Sequence, residues 1–272
     1  MKFKGRCKLR ISLVIRFVVI RLFKPCLMFA IRKSPIVGVA CRDSIYSVEF
    51  ENTERPPDKV LERYNNDELG GYGTKKLECN PISESREVNS LYEIQKVIDN
   101  HKPKRVVEIG VASGLAFEIL ARKNTQTPFV GIDFNTTNIA TKTKDLSNVE
   151  FYSGYANDKL IDIDLEGSLV FATSTLTCFL PNELRRFMQL CQEKKVEWII
   201  VNEPVWFQFS MHKNARHGKS RHMEYVCWWH EFPGYFWEFG FKTITLSRYK
   251  VKKEVPIHDR YAYVVVARRK FV

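Results

Sequence analysis

Apolar and polar positions alternate along the chain in two rhythms, and the switches between them predict the elements. Val88, Leu91, Ile94, Val97 and Ile98 recur at helical spacing, which predicts a helix over 84–100 with one buried face. Val106, Val107 and Ile109 then form a short apolar run, as expected of a strand buried on both sides. Leu115, Ile119 and Leu120 return to helical spacing, and 129–133 is a second short strand that ends on Asp133. The alternation continues with a Thr- and Lys-rich helix over 135–146, a strand and turn over 149–156, and a strand from Ser168. An amphipathic helix over 182–193 carries Leu184, Phe187, Met188 and Cys191 on one stripe, followed by a strand over 197–204. Two further strands, 242–248 and 261–267, are joined by a polar loop. Strands alternating with helices predict an α/β fold with a mostly parallel sheet and helices on both faces.

The first strand, helix and second strand surround a specific turn. Glu108, Gly110 and Gly114 form E-x-G-x-x-x-G, and Asp133 follows 23 residues after Gly110. Glycines there let the backbone approach a ligand and open a helix, and an acid after the second strand takes ribose hydroxyls, so the unit suits a nucleoside. The spacing is not G-x-G-x-x-G, which disfavours a dinucleotide. The stretch resembles motif I of class I S-adenosylmethionine (SAM)-dependent methyltransferases. Residues 168–181 are similar to that family's fourth strand and following turn, and 228–241 resemble the approach into the last helix of small-molecule and sugar O-methyltransferases. The final two strands match the antiparallel sixth and seventh strands that separate methyltransferases from plain dinucleotide folds.

The resemblance covers about 86–272. It implies a Rossmann-like, seven-stranded, mostly parallel sheet with an antiparallel last strand, and SAM as cofactor. The cofactor residues it implies are Glu108, Gly110, Val111, Ala112, Ser113, Gly114, Asp133, Phe134, Tyr155, Ala156 and Thr173. Many relatives carry Gly-Asp-Ala after the third strand, whereas this chain has Gly154-Tyr155-Ala156, so Tyr155 stacks on the base or Asn157 or Asp158 takes the polar contact. Ser168 and Cys178 stand where an acid and a histidine are common, and Ala172–Thr175 replaces an N-P-P-Y-type tetrapeptide, which counts against base N-methylation.

SAM carries an activated methyl group, so such an enzyme chiefly aligns the acceptor and excludes water. A hydroxyl acceptor also needs a base. His230, expected to begin the last helix, is the first candidate catalytic residue and Glu203, after the fifth strand, the second; Glu203 alternatively orients the acceptor or holds an ion. Residues 207–240 are expected as a substrate-side insertion rich in His and Trp, and its basic loop 213–222 suits an acidic or phosphorylated acceptor if it is not simply solvated. The acids show no convincing pair for a metal, Glu203 and Asp259 being candidates by position alone.

Charge changes the picture only at one end. Of 43 Lys and Arg residues 11 lie in 1–42, which has no Asp or Glu, so the other 32 face 31 acids and the body is close to neutral. That argues against a large nucleic-acid groove on it. Residues 1–42 are too charged to span a bilayer readily. They read as a segment lying on an anionic membrane surface, an organellar presequence, or a docked basic tail. Residues 43–85 read as a lid or cap, with Tyr72 between glycines as a cofactor contact or merely a loop tyrosine. Seven cysteines without a C-x-x-C pair point to a reducing compartment, and the expected location is cytoplasmic, peripheral at the inner membrane surface. Three functions follow: O-methylation of a sugar, glycan or other small-molecule hydroxyl; methylation of a nucleic acid or protein gripped by the basic arm; or a non-catalytic binding module on a degenerate SAM fold.

Overall fold

The computed structural model describes residues 86–112, 114–204, 213–224, 227–250 and 261–270. The expectations for 1–85, Ser113, 207–212 of the insertion and Asp259 lie outside the described residues. Six helices and nine strands follow one another in the described chain. Helix α1 is Arg86–His101, β1 Val106–Ile109, α2 Leu115–Lys123, β2 Phe129–Asp133, α3 Thr137–Lys142, β3 Val149–Ser153 and α4 Ala156–Asp162. Then come β4 Leu169–Thr173, a 3-10 turn Leu176–Cys178, α5 Pro181–Glu193, β5 Trp198–Pro204, β6 Ser220–Glu224, β7 Cys227–His230, α6 Phe232–Glu238, β8 Phe241–Lys250 and β9 Tyr261–Arg269.

Seven strands form one sheet in the order β3-β2-β1-β4-β5-β9-β8. Strands β1 to β5 pair in parallel. Strand β9 runs antiparallel to both β5 and β8. Of the last two strands, therefore, only β9 opposes the sheet. A hairpin reverses direction once, so inserting β9 beside β5 returns β8 to the parallel direction.

Successive residues of a strand face opposite sides, and here both sides are apolar. Val107, Ile109, Val170, Ala172, Ile199 and Val201 pack toward α4, α5 and α6. Val106, Leu169, Phe171, Trp198 and Ile200 pack toward α1 and α2. The stripe Leu184, Phe187, Met188 and Cys191 of α5 is wholly buried, and each of its larger members contributes about 1.5–3 kcal/mol. Pro181 opens α5 with its fixed φ, and Glu183 reaches back to accept the Leu180 N–H at 3.0 Å.

Two expectations change. The second crossover helix is only Thr137–Lys142, because the Thr-rich segment has few residues to bury, Ile139 being its one buried position. Between β5 and α6 lies an antiparallel β6–β7 hairpin that the aromatic and histidine crowding did not suggest. Helix α6 packs so closely on the preceding loop that a Cβ at Gly234 would fall 2.1 Å from the His217 carbonyl oxygen. Glu238 accepts the Gly218 N–H at 2.6 Å and pairs with Arg185. The basic loop is thus fixed in backbone while Lys213, Arg216, His217 and Lys219 stay exposed. Among the described residues no helix is long and apolar enough to cross a membrane, and no group of three or more His, Cys, Asp or Glu residues is arranged to hold a metal ion.

Candidate functional site

At the carboxyl ends of β1, β2 and β4 the chain makes three turns that meet. After β1 the backbone enters the left-handed region three times, at Gly110 (φ 76°), Ala112 (φ 47°) and Gly114 (φ 74°). The glycines are required sterically as well. A Cβ at Gly110 would lie 2.1 Å from Thr175 Oγ1, and one at Gly114 would lie 2.1 Å from Ile139 Cδ1. The bend is tied to its neighbour strand by the Gly110 N–H, which donates to the Ile132 carbonyl at 2.8 Å.

Asp133 ends β2 beside this bend. Its Oδ2 accepts the Ala112 N–H at 2.8 Å and its Oδ1 accepts the Asn135 N–H at 3.2 Å. The acid and the glycines, 23 residues apart, therefore form one cradle with backbone and a carboxylate on its surface. Glu108 is buried at the end of β1, and Val111 is buried in the bend. The Phe134 and Tyr155 rings flank the end of β2, centroids 6.3 Å apart. Tyr155 precedes α4, whose first residue is Ala156. Asn157 turns inward instead, its Nδ2 donating to the Glu183 carbonyl at 3.1 Å, while Asp158 is exposed. Thr173 ends β4, and its hydroxyl lies 3.3 Å from that of Ser90 on α1.

The two candidate catalytic side chains sit behind this cradle. Glu203 is 1% exposed. Its Oε1 accepts the N–H groups of Thr175 and Leu176 at 2.9 and 2.8 Å, and its Oε2 accepts that of Thr177 at 3.3 Å. His230 does not begin a helix; it ends β7 and is 0% exposed. Its Nε2 lies 3.0 Å from the Phe179 carbonyl, which can only accept, so Nε2 carries the proton. Nδ1 then accepts from Ser220 Oγ at 2.7 Å, and Ser220 accepts in turn from the Tyr235 hydroxyl. Burial outweighs the Phe179 bond and holds the imidazole down to about 3, so the ring is neutral near pH 7. Both ring nitrogens are engaged within the protein. Trp228 and Trp229, from the tryptophan-rich insertion, are each 3% exposed and belong to the core.

Thr175 was not singled out as a site residue. It packs directly on Gly110, and its only sequence signal is its place after the fourth strand. Ser90 and Asn202 were also missed: Asn202 Nδ2 donates to Ser90 Oγ at 3.3 Å, joining α1 to β5 beneath Thr173.

The sheet order, the single opposed strand and the glycine cradle define the class I SAM-dependent methyltransferase fold. No protein-family model and no curated protein matches the sequence. Solved structures do. A 1,6-didemethyltoxoflavin N1-methyltransferase of Burkholderia thailandensis, with bound S-adenosylhomocysteine, aligns with TM-score 0.56 at 11% identity over 80% of this chain and 92% of that one. The N-methyltransferase NodS of Bradyrhizobium japonicum WM9, also with S-adenosylhomocysteine, gives 0.53 at 13% identity over 78% and 98%. Magnesium protoporphyrin IX methyltransferase of Synechocystis PCC 6803, with bound SAM, gives 0.52 at 11% identity over 80% and 100%.

Proposed function

We propose that this protein is a SAM-dependent methyltransferase whose acceptor is a hydroxyl of a sugar, glycan or related small molecule. The observation that carries the reading is the cradle: Asp133 lies against a bend of left-handed glycines where no Cβ fits. These residues suit a nucleoside ligand. The bend offers backbone to it, Asp133 suits ribose hydroxyls, and Phe134 and Tyr155 supply ring faces for a base in place of an acid. The cofactor supplies a methyl group already activated on a sulfonium. The protein's own share is to orient the acceptor and keep water out. We read His230 and Glu203 as supports for the turn after β4 rather than as proton acceptors. The hydroxyl-acceptor reading draws support from 228–241, covering β7 from Trp228 onward and α6, whose sequence resembles the small-molecule and sugar O-methyltransferases. Strand β7 leans on that same turn through Thr177 Oγ1, which donates to the Trp228 carbonyl at 2.8 Å.

Calorimetry is expected to show one SAM site per chain, with affinity lowered about tenfold in Asp133→Asn, the loss of one charge-assisted contact. No heat of SAM binding from the folded wild type would overturn the reading, and methyl transfer from labelled SAM across a panel of hydroxyl and amine acceptors would then name the acceptor class.

Residues 1–42 we read as a contact for an anionic membrane surface, supported by 11 basic and no acidic residues there, and 43–85 as a cover for the cleft, since α1 brings the chain in beside Thr173. The full chain is expected to float with phosphatidylserine vesicles at low salt and to lose most of that on deletion of 1–42. Flotation unchanged by the deletion would refute the anchor.

A further inference from the structure

Two non-glycine residues beside the cradle hold left-handed backbone, Ala112 at φ 47° and Ser174 at φ 54°, a region L residues seldom occupy. Each is followed or matched by a carboxylate that fixes the turn. Asp133 Oδ2 accepts the Ala112 N–H itself. Glu203 accepts the three successive N–H groups that follow Ser174. The kink at Ser174 throws Thr175 into the space a Cβ on Gly110 would occupy, so the two turns interlock. On its other side the same turn holds the hairpin, through Thr177 to the Trp228 carbonyl and through the Phe179 carbonyl to His230.

We propose that Glu203 is a positioning residue for the cofactor cleft: from β5 it holds the turn 174–177 against the glycine bend, and takes no proton from the acceptor. The inference rests on the methyltransferase reading of that cleft. Three N–H donors require acceptors at both oxygens. A carboxylate supplies two, whereas a glutamine supplies one and turns an NH2 group toward a donor.

The test uses the full chain. In the wild type the amides of 175–177 are expected to be strongly protected from hydrogen exchange, and in Glu203→Gln to become labile. SAM affinity by calorimetry is expected to fall about tenfold or more in Glu203→Gln, and formate is expected to restore part of it in Glu203→Ala by refilling the carboxylate site. The control is Glu183→Gln, an equally buried carboxylate on α5; it should lower thermal stability but keep SAM affinity within about twofold. Wild-type affinity in Glu203→Gln, or unprotected exchange at 175–177 in the wild type, would overturn the proposal. A folded wild type that binds no SAM would overturn the methyltransferase reading instead, while the exchange measurement still decides what Glu203 holds.

Discussion

Gly110→Ala is expected to take SAM binding below the reach of calorimetry, a loss of about a thousandfold. Two independent effects converge on one methyl group. Alanine at φ 76° costs about 1–2 kcal/mol. The new Cβ would also sit 2.1 Å from Thr175 Oγ1, so the bend or the turn after β4 must move, and overpacking of this kind costs about 1–3 kcal/mol. Either displacement spoils the backbone surface offered to the ligand. Gly167→Ala separates the two effects. Gly167 shares the left-handed backbone at φ 71°, but its Cβ would meet only the flexible Lys104 side chain at 3.4 Å. That variant should lose some stability and keep its SAM affinity. If Gly110→Ala folds and binds SAM like the wild type, the cradle is not the cofactor site.

The second large effect is on stability. His230→Ala is expected to destabilise the fold by about 3–4 kcal/mol, because it leaves a cavity and strips partners from the Phe179 carbonyl and the Ser220 hydroxyl. The loss should depend on pH in a defined direction. Folding lowers the His230 value from the ordinary 6.5 to about 3, so below pH 6.5 the unfolded chain takes up a proton that the folded chain refuses. Its contribution is therefore complete above pH 6.5 and is lost as pH falls from there toward 3, by about 1.4 kcal/mol per unit at most. Urea unfolding at pH 7.5 and pH 5 should show the gap between wild type and variant narrowing by about 2 kcal/mol. A gap that widens on acidification would mean that the imidazole is charged in the folded state.

Much of the fold was legible because its signals are local. The strand β1, the glycine bend, α2 and β2 lie within 28 residues, and each follows from spacing or from a glycine's freedom. The stripe of α5 likewise announces one buried face, and the structure buries it. Three features were not legible. The β6–β7 hairpin has no clean alternation, since Cys227, Trp228, Trp229 and His230 are apolar or aromatic in succession and the last three are all buried. The destinations of Glu203 and His230 depend on partners 28 and 51 residues away. A residue type that commonly moves protons carries no local sign that its polar atoms are already spoken for.

By itself, then, the amino-acid order determined the alternation of strands and helices, the left-handed bend, and the acid that closes on it. These depend on short-range geometry and the periodicity of burial. Folding alone decided that Thr175 would fill the space beside Gly110, across 65 residues, and that Glu203 and His230 would be buried with their polar atoms hydrogen-bonded. Burial and hydrogen-bond satisfaction belong to the assembled sheet, and neither exists until strands distant in the chain lie side by side.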